Sequence, residues 1–345
     1  MPVGHQQYRD AVDDRDRRAF VLTEAQTFVA VAEEAVEVAP GEVLVEVTET
    51  GVCASDVKMY AGTHPVNHPP LLLGHEFHGR LLTGGARVAV GQEVAVFPLL
   101  SCGQCRACTA GRPNTCAEMG VIGAQRPGAL AGLVAVPEHN VVALDPRVPA
   151  DLRVLAEPLT VAVHAARRAG DVCGRDAFII GGGPIGLLVT LLLQSAGAAS
   201  VTVSDSDPVR RALVGELTTA KLDDGTAGHE DCFDIAYECV GSPALAAKAL
   251  RCVRPGGSVV LVGIQSGQVT VDGMALQRGE RAILGTQMYT PEDFAHSLRL
   301  LASEPLFSGL PAERLVRRHP AAKAPAVFAA LLAGERPFLK EALVF

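Results

Sequence analysis

Hydrophobic and polar positions follow two different patterns along the chain. In the first third, short runs alternate with a period of two and are separated by Gly and Pro. Such alternation predicts strands with one buried face. The predicted strands cover residues 42–48, 87–97 in two halves around Gly91, 133–136 and 141–144. We therefore expect a compact, largely antiparallel β domain in this part of the chain.

The middle of the chain alternates apolar runs with helical stretches. The runs that predict strands are 177–180, 200–204, 233–237, 258–264 and 282–286, and the stretches that predict helices are 184–196, 209–217 and 244–253. Strands that alternate with helices favour a parallel, doubly wound sheet. After Pro291, predicted helices at 292–302 and 321–333 precede a final β run at 342–345. The predicted fold class is α/β, with a doubly wound (Rossmann) domain and a second, mainly β domain.

Composition narrows the possible partners. The 345 residues carry a formal net charge of −8, and 48% of them are hydrophobic. An acidic chain is not expected to bind nucleic acid or an anionic membrane surface. Residues 1–18 are polar and lack the apolar core of a signal peptide, and the longest apolar stretch, 177–193, is interrupted by glycines. We therefore expect a cytoplasmic protein without a membrane span.

Four of the nine cysteines lie within fifteen residues, in the pattern Cys102-x2-Cys105-x2-Cys108-x7-Cys116. In a chain with no expected export signal, this clustering indicates a metal rather than disulfides. Four thiolates suit tetrahedral Zn(II) and leave no open position, so the ion would be structural. The alternative is an iron–sulfur cluster. However, bacterial ferredoxins place their fourth cysteine sooner and follow it with Pro, where this chain has Ala117.

Residues 177–186 read AFIIGGGPIG and place Gly181, Gly183 and Gly186 between a predicted strand and a predicted helix. This spacing permits a tight turn, lets a pyrophosphate approach the backbone and lets the helix pack closely on the strand. Asp205 ends the next predicted strand, where a carboxylate binds a ribose 2′-hydroxyl and disfavours the 2′-phosphate of NADP. We predict NAD. The alternative is NADP, whose extra phosphate the nearby guanidinium of Arg210 or Arg211 can accept.

Three separated fragments carry further candidate metal ligands: Cys53, the pair His75-Glu76, and Glu157. Each alone has an ordinary structural explanation. Together with the cysteine cluster and the glycine turn, they resemble the zinc-dependent medium-chain alcohol dehydrogenase family. The glutamates point to its sorbitol and threonine dehydrogenase branch. The resemblance extends from about residue 18 to residue 345.

The resemblance implies two domains. A GroES-like catalytic domain would comprise residues 1–155 and 290–345 and carry the structural zinc lobe near 102–116, and a dinucleotide-binding domain would comprise 156–289. It also implies a second, catalytic zinc. The family's further cofactor contacts map onto these residues: Pro184, Ile185, Arg210, Val262, Gly263, Ile264, Gln287 and Met288.

In the catalytic site, the resemblance implies that Cys53 and His75 ligate zinc, with Glu76 and Glu157 as competing carboxylate ligands. One thiolate and one carboxylate already neutralise Zn(II), and a second carboxylate would weaken the ion as a Lewis acid. Our hypothesis is that only one glutamate ligates directly in the productive complex. The remaining position would then be open to the substrate oxygen.

The proton released from the alcohol needs a path to solvent. Ser55 matches the family's hydroxyl relay position, and Lys58 stands where sorbitol and threonine dehydrogenases have a histidine. A lysine with an ordinary pKa near ~10.4 cannot exchange protons near neutral pH as imidazole does. Either the zinc enables Lys58 to do so, or Lys58 binds an anionic or polyhydroxyl substrate, or water completes the relay. Tyr60 either lines the substrate pocket or is an ordinary packed aromatic.

The expected function is a zinc-dependent NAD oxidoreductase that acts on a polar secondary alcohol: a polyol, cyclitol or aminocyclitol, sugar or hydroxy-amino compound. The partner is thus a small-molecule alcohol or ketone, and relatives suggest a homodimer or homotetramer. One alternative is an L-threonine 3-dehydrogenase-type activity. A zinc-independent reductase is disfavoured because all three ligand fragments are present. A third alternative is a non-catalytic nucleotide-binding paralogue with only the structural zinc, which would hold one zinc rather than two.

Overall fold

The computed structural model describes residues 18–33, 36–303, 305–335 and 337–345. The polar N-terminal stretch up to residue 17 therefore lies outside the described residues. Among those described, no helix combines the length and the apolar character needed to cross a bilayer.

The middle of the chain forms alternating strands and helices. The strands are β11 (Asp176–Ile180), β12 (Ser200–Ser204), β13 (Lys221–Asp223), β14 (Phe233–Glu238), β15 (Val253–Leu261) and β16 (Ala282–Gly285). They form one parallel sheet in the order β13-β12-β11-β14-β15-β16. The strand order reverses beside β11, which makes the sheet doubly wound and leaves a crevice at the carboxyl end of that strand.

Helices cover both faces of this sheet. Those described in the middle of the chain are α3 (Ala156–Arg168), α4 (Pro184–Ser195), α5 (Pro208–Leu217), α6 (Pro243–Cys252) and α7 (Gly273–Arg278). Along β11, Ile179 belongs to a core cluster with Leu159 of α3 and Leu187 of α4. The preceding residue, Phe178, belongs to another cluster with Leu250 of α6. Successive strand residues point to opposite faces, so the parallel sheet is buried on both sides.

The first part of the chain is mainly β. Its strands are β1 (Arg18–Glu24), β2 (Thr27–Ala32), β3 (Glu42–Gly51), β4 (Leu71–Leu72), β5 (Glu76–Leu81), β6 (Glu93–Val96), β7 (Leu99–Leu100), β8 (Gly120–Val121), β9 (Leu133–Pro137) and β10 (Val141–Ala143). The helices described here are α1 (Ala54–Tyr60) and α2 (Arg106–Thr109), with 3-10 turns at Pro113–Thr115, Glu138–Asn140 and Ala150–Leu155.

The end of the chain returns to this β region. It contains α8 (Pro291–Ser303), α9 (Ala312–Leu315), β17 (Val316–Pro320), α10 (Ala324–Leu332) and β18 (Lys340–Val344), with 3-10 turns at Pro305–Phe307 and Ala321–Lys323. Strands β18 and β17 extend the largest β sheet, whose order is β10-β6-β5-β3-β18-β17 with β9 also paired to β3. The last strand of the chain therefore lies directly beside β3, near the residues that precede α1.

The predicted fold class, a doubly wound domain with a mainly β domain, is confirmed. One strand prediction is wrong: of residues 87–97, only β6 at Glu93–Val96 is a strand. The first half enters a turn in which Gly91 has a φ of +84° and its N–H donates to the carbonyl of Leu81. The strand predicted at 258–264 begins earlier and ends at Leu261, so Val262, Gly263 and Ile264 form the loop that follows β15.

Candidate functional site

Three neighbouring strands place Glu76 in the interior. Glu76 begins β5 and pairs with Gly51 of β3, and Gly51 pairs on its other side with Ala342 of β18. A Cβ atom on Gly51 would lie only 2.3 Å from Oε2 of Glu76. The glycine therefore makes room for the carboxylate, which is 1% exposed.

Cys53 and His75 approach Glu76 from two loops. Cys53 immediately precedes α1, and its N–H donates to Oδ2 of Asp56 at 3.0 Å. The other oxygen of Asp56 lies 3.2 Å from Nδ1 of His75, which leaves Nε2 of that ring for another partner. Cys53, His75 and Glu76 each offer one ligand atom, and these atoms lie within 4.8 Å of one another.

This group fits a zinc ion. One thiolate, one imidazole and one carboxylate form the mixed donor set that zinc binds in catalytic sites, with a fourth position left open. Oε2 of Glu76 is buried and has Nζ of Lys340 at 2.7 Å. A carboxylate oxygen carries two lone pairs, so one of them stays available to an ion. Burial alone would lower the pKa of His75, but the Asp56 carboxylate and the Cys53 thiol raise it well above its usual value. A bound zinc would reverse this shift, because zinc binds deprotonated ligands.

A buried lysine stands behind this group. Nζ of Lys340 lies 2.7 Å from Oε2 and 2.8 Å from Oε1 of Glu76, and the lysine is 4% exposed. Burial acts to lower the pKa of Lys340, but Glu76 outweighs it and the net pKa is raised. Lys340 therefore supplies a positive charge that offsets one of the carboxylates in the site.

Glu157 stands beside the three-residue group without joining it. It is the second residue of α3 and is 5% exposed. Its Oε1 accepts a hydrogen bond of 2.6 Å from the hydroxyl of Tyr289, a fully buried side chain that packs edge-on against Phe97. Burial, followed by the charge of Glu76, raises the pKa of Glu157 to about 7. The structure thus brings both predicted glutamates to one place and gives them different partners, Lys340 and Tyr289.

The four clustered cysteines come together in a separate lobe. The sulfur of Cys105 lies 3.6 Å from that of Cys108 and 3.9 Å from that of Cys116, and Cys116 lies 3.5 Å from Cys102. Tetrahedral zinc with Zn–S bonds of ~2.3 Å sets sulfur–sulfur distances near ~3.8 Å, whereas a disulfide requires about 2.05 Å. Main-chain N–H groups of Cys108 and Ala117 lower the pKa of Cys105 to about 6, which favours the thiolate form that metals bind.

The glycine turn has the geometry that a dinucleotide needs. Gly181, directly after β11, has a φ of +103°, and a Cβ on Gly186 would lie 1.9 Å from the carbonyl oxygen of Gly181. Helix α4 begins at Pro184, so its unpaired N–H groups face the turn. Oδ2 of Asp205 accepts a hydrogen bond of 2.8 Å from the N–H of Gly182, which fixes the carboxylate beside the turn.

Arg210 lies over the same carboxylate. Its Nη1 is 3.6 Å from Oδ2 of Asp205, and its Nε is 3.7 Å from Oδ2 of Asp207. The guanidinium is thus held by two acids beside the glycine turn.

One member of the metal group, Cys53, lines the same cleft as the glycine turn. The lining of this cleft includes Cys53, Gly183 and Lys340, together with Pro184 and Arg210. Residues about 130 positions apart in the sequence therefore face the same space.

The other predicted residues lie on α1, on the loops after β15 and β16, and at the start of α4. Ser55 and Lys58 lie on α1, and both are partly exposed. Tyr60 instead stacks on Phe28 with ring centroids 5.3 Å apart and packs against Phe328, so it is a core residue of the β domain. Val262, Gly263, Ile264, Gln287 and Met288 lie on the loops after β15 and β16, and Ile185 packs against the core from the start of α4.

Sequence reasoning did not identify Asp56, Tyr289 or Lys340 as parts of the site. For Lys340 a signal was available, because it is one of only five lysines and interrupts the apolar residues at the end of the chain. Asp56 lies three residues after Cys53, at the spacing of an N-terminal helix cap. Tyr289 offers no signal, because its partner Glu157 is 132 residues away.

Comparisons with known proteins agree with this geometry. A family profile described as an alcohol dehydrogenase GroES-like domain matches residues 39–146, and one described as a zinc-binding dehydrogenase matches residues 184–303. An L-galactonate-5-dehydrogenase of Escherichia coli K-12 is 31% identical over 88% of this chain and 92% of its own length. An L-threonine 3-dehydrogenase of Mesorhizobium japonicum is 33% identical over 72% of this chain and 76% of its own length. The solved structure of L-idonate 5-dehydrogenase from Escherichia coli K-12 has a TM-score of 0.86 at 25% identity and covers 95% of this chain and 98% of the other.

Proposed function

The chain belongs to the zinc-dependent medium-chain alcohol dehydrogenase family, and from that premise we propose that it transfers hydride between a polar secondary alcohol and NAD. One observation carries the proposal: Cys53 belongs to the cluster with His75 and Glu76, and it also lines the cleft that the glycine turn lines. Hydride transfer requires the alcohol carbon and the nicotinamide to be held side by side. A metal group beside a dinucleotide turn provides that arrangement.

The ligand assignment follows from the two carboxylates having different partners. We assign the catalytic zinc to Cys53, His75 and Glu76, and a second, structural zinc to the four clustered cysteines. Glu157, held by Tyr289, stays beside the ion as the carboxylate that does not ligate in the productive state. When bound, the zinc supplies a Lewis acid that makes an alcohol more acidic, and the nicotinamide supplies the hydride acceptor.

The protein's own residues orient the metal ligands, balance the charge of the site and carry the hydroxyl proton away. Asp56 orients the ring of His75, as acidic partners of metal-binding histidines do. Lys340 offsets the charge of Glu76, so a second carboxylate can stand nearby without making the site strongly negative. Ser55, on α1 two residues after Cys53, begins the route by which the hydroxyl proton leaves. Lys58, on the same helix, either continues that route or binds the substrate. Residues 1–155 and 290–345 would form the catalytic domain, and 156–289 the dinucleotide domain.

The proposed cofactor is NAD rather than NADP. The carboxylate of Asp205, fixed by the N–H of Gly182, faces the place of the adenosine ribose and repels a 2′-phosphate. Arg210 favours the opposite choice, but its guanidinium is close to Asp205 and Asp207, and both acids compete with a phosphate for it.

We propose a polyhydroxylated substrate, with sugar acids as the first class to test. Two of the proteins that this chain resembles carry names of sugar-acid dehydrogenases, for L-galactonate and L-idonate, and both acids are anions. Lys58 lies five residues after Cys53, on α1, and is partly exposed, so its ammonium is available to a substrate carboxylate. A second candidate is L-threonine, supported by the L-threonine 3-dehydrogenase relative.

The test is formation of NADH or NADPH from a panel of L-galactonate, L-idonate, polyols, cyclitols, aminocyclitols, sugars and L-threonine. Zinc content and sedimentation of the same preparation determine the metal stoichiometry and whether the protein is a homodimer or homotetramer. We expect two zinc ions per chain and turnover of at least one polyhydroxylated compound with NAD. Cys53→Ser should retain one zinc and lose turnover.

Lys58→Met separates substrate binding from proton transfer. If Lys58 binds a carboxylate, its loss raises KM for sugar acids by about 10-fold or more and leaves KM for neutral polyols unchanged. If Lys58 moves the proton, kcat falls for both classes. One zinc per chain in the wild type, with no turnover of any panel member, would instead support the non-catalytic nucleotide-binding alternative.

A further inference from the structure

The lobe that contains the four cysteines contacts the loop after β16. Asn114 lies in the 3-10 turn Pro113–Thr115, two residues before Cys116, and is 5% exposed. Its Nδ2 donates a hydrogen bond of 2.7 Å to the main-chain carbonyl of Gln287, 173 residues away. Nearby, Nε2 of Gln287 lies 3.6 Å from the sulfur of Met119, also in the lobe.

The residue that follows this contact has an unusual backbone conformation. Met288 has a φ of +44°, a region that residues with a side chain rarely adopt. Such a conformation persists only where the surroundings hold it. On one side, Thr286 is bound to Leu261 through its N–H and its hydroxyl. The carbonyl of Gln287, adjacent to Met288, is bound by Asn114.

The segment then reaches the catalytic site. Tyr289 follows Met288 and donates its hydroxyl to Glu157. The direction of the Tyr289 side chain depends on the backbone at Met288, because a change of φ by tens of degrees would swing the phenol away from α3. The contacts therefore run from the cysteine lobe through Asn114 and the backbone of residues 287–289 to the carboxylate beside the catalytic zinc ligands.

We propose that Asn114 is a positioning residue that ties the cysteine lobe to the catalytic site. It holds the carbonyl of Gln287 so that Tyr289 reaches Glu157. Cys116 follows this turn directly and donates its N–H to the carbonyl of Pro113, so the turn that carries Asn114 is joined to one of the four cysteines. The assignment of Glu157 to catalysis rests on the proposed function; the contact between the lobe and Tyr289 does not.

Asn114→Asp tests the proposal with nearly unchanged size. The aspartate has no N–H to donate and sets a carboxylate against the carbonyl of Gln287. Thr115→Val is the matched control: it removes a hydrogen bond within the same turn but nothing that reaches Gln287. If Asn114→Asp does not yield folded protein with both zincs, Asn114→Ala, which adds no charge, takes its place.

The first readout is spectroscopic and needs no substrate. The chain contains no Trp and four Tyr, so the near-ultraviolet circular dichroism band that Tyr289→Phe removes belongs to Tyr289. We expect Asn114→Asp to lose the same band and to increase hydrogen exchange across residues 286–290. Thr115→Val should change neither. A Tyr289 band and an exchange rate like those of the wild type in the Asn114 variant would overturn the proposal.

The second readout is a double-mutant cycle on whichever compound of the panel is oxidised. We expect Asn114→Asp to lower kcat about 10-fold, the range found for residues that orient metal-site groups. In the Tyr289→Phe background the same substitution should have less than about a twofold further effect, because the two residues act through one contact. Fully additive losses would contradict the proposal. If no compound is oxidised, the proposed function fails, and the spectroscopic readout still decides whether Asn114 positions Tyr289.

Discussion

At the scale of single residues, the site is defined by how buried charges are paired. Glu76 and Lys340 form an ion pair in which both side chains are at most 3% exposed. Such a pair contributes little net stability when intact, but removing one partner leaves a buried charge uncompensated. Removing Lys340 therefore shows how far bound zinc, rather than this lysine, offsets the charge of Glu76 in the folded protein.

We expect Lys340→Met to lower the free energy of unfolding of the zinc-free protein by about 3–5 kcal/mol. Glu76 would then lose its paired ammonium and keep only the His75 ring of the same cluster as a nearby cation. Zinc supplies the missing positive charge, so the loss should be clearly smaller in the zinc-loaded protein. Chemical denaturation with and without a chelator measures both values.

The control is Lys323→Met, which removes an exposed lysine and should change stability by no more than about 0.5 kcal/mol. Equal destabilisation of Lys340→Met with and without zinc would show that Lys340 does not share the site's charge.

At the scale of elements, a helix end positions the site and joins α8 to α3. Helix α8 begins with a capping arrangement in which the N–H and hydroxyl of Thr290 donate to Oδ2 of Asp293. Asp293, fully buried, also accepts from Nδ1 of His164 at 2.8 Å and forms an ion pair with Arg167, both on α3. This connection fixes α8 against the helix that carries Glu157.

We expect Asp293→Asn to lower the free energy of unfolding by about 2 kcal/mol at neutral pH, the range for hydrogen bonds to a charged group. Burial acts to raise the pKa of Asp293, but the bonds from His164 and Thr290 outweigh it and the net pKa lies below its usual value. A carboxyl group with a depressed folded-state pKa stabilises above its unfolded pKa near ~3.9 and loses that contribution as the pH falls through the folded value.

The stability difference between wild type and Asp293→Asn should therefore shrink only below about pH 4. Glu292→Gln, an exposed change in the same helical turn, serves as control and should leave stability nearly unchanged. A difference that disappears already near neutral pH would contradict the assignment.

The glycine turn offers a second prediction at this scale. In Gly186→Ala, the new Cβ would collide with the carbonyl of Gly181, so the free energy of unfolding should fall by ~1–3 kcal/mol and NAD binding should weaken. In Gly183→Ala, the new Cβ would have no atom within 4 Å among the described residues, its chain neighbours aside, and the φ of −69° suits alanine. This variant should fold normally and weaken only NAD binding. Calorimetric NAD titration and thermal melts distinguish the two; equal stability would contradict the packing role of Gly186.

At the scale of the whole molecule, the β domain carries two separate clusters of candidate metal ligands, and we expect them to have different roles. The cysteine lobe is a closed site that fixes a loop, and the Cys53 group opens into the cleft. Their separation allows one ion to be removed without the other.

We expect Cys102→Ser to reduce zinc from two ions per chain to one and to lower thermal stability, since structural zinc sites contribute directly to folding free energy. Metal analysis and thermal melts measure this. Cys173→Ser, a change at an exposed cysteine, should leave two zincs. Loss of both ions from Cys102→Ser would show that the sites are not independent.

The sequence determined the parts that depend on local patterns. The alternation of predicted strands and helices indicated the doubly wound sheet. These elements could be predicted because burial of one sheet or helix face imposes a fixed spacing on apolar residues. The four cysteines and the glycine turn were readable because each is a contiguous loop whose chemistry requires particular residues at particular steps. The fragments with Cys53, His75-Glu76 and Glu157 were readable only as a family resemblance. Short elements were missed: α1 has seven residues and the β1–β2 hairpin faces solvent on one strand, too little for a clear period.

Tertiary structure alone decided which groups meet. Lys340 reaches Glu76 because β18 pairs with β3, Tyr289 reaches Glu157 across 132 residues, and Asn114 reaches the backbone of Gln287 across 173. No local spacing encodes such contacts, since they depend on strand pairing and on the packing of one domain against another. The residue types that the site's chemistry requires could therefore be predicted from the sequence, whereas the fold determined which charged groups are paired.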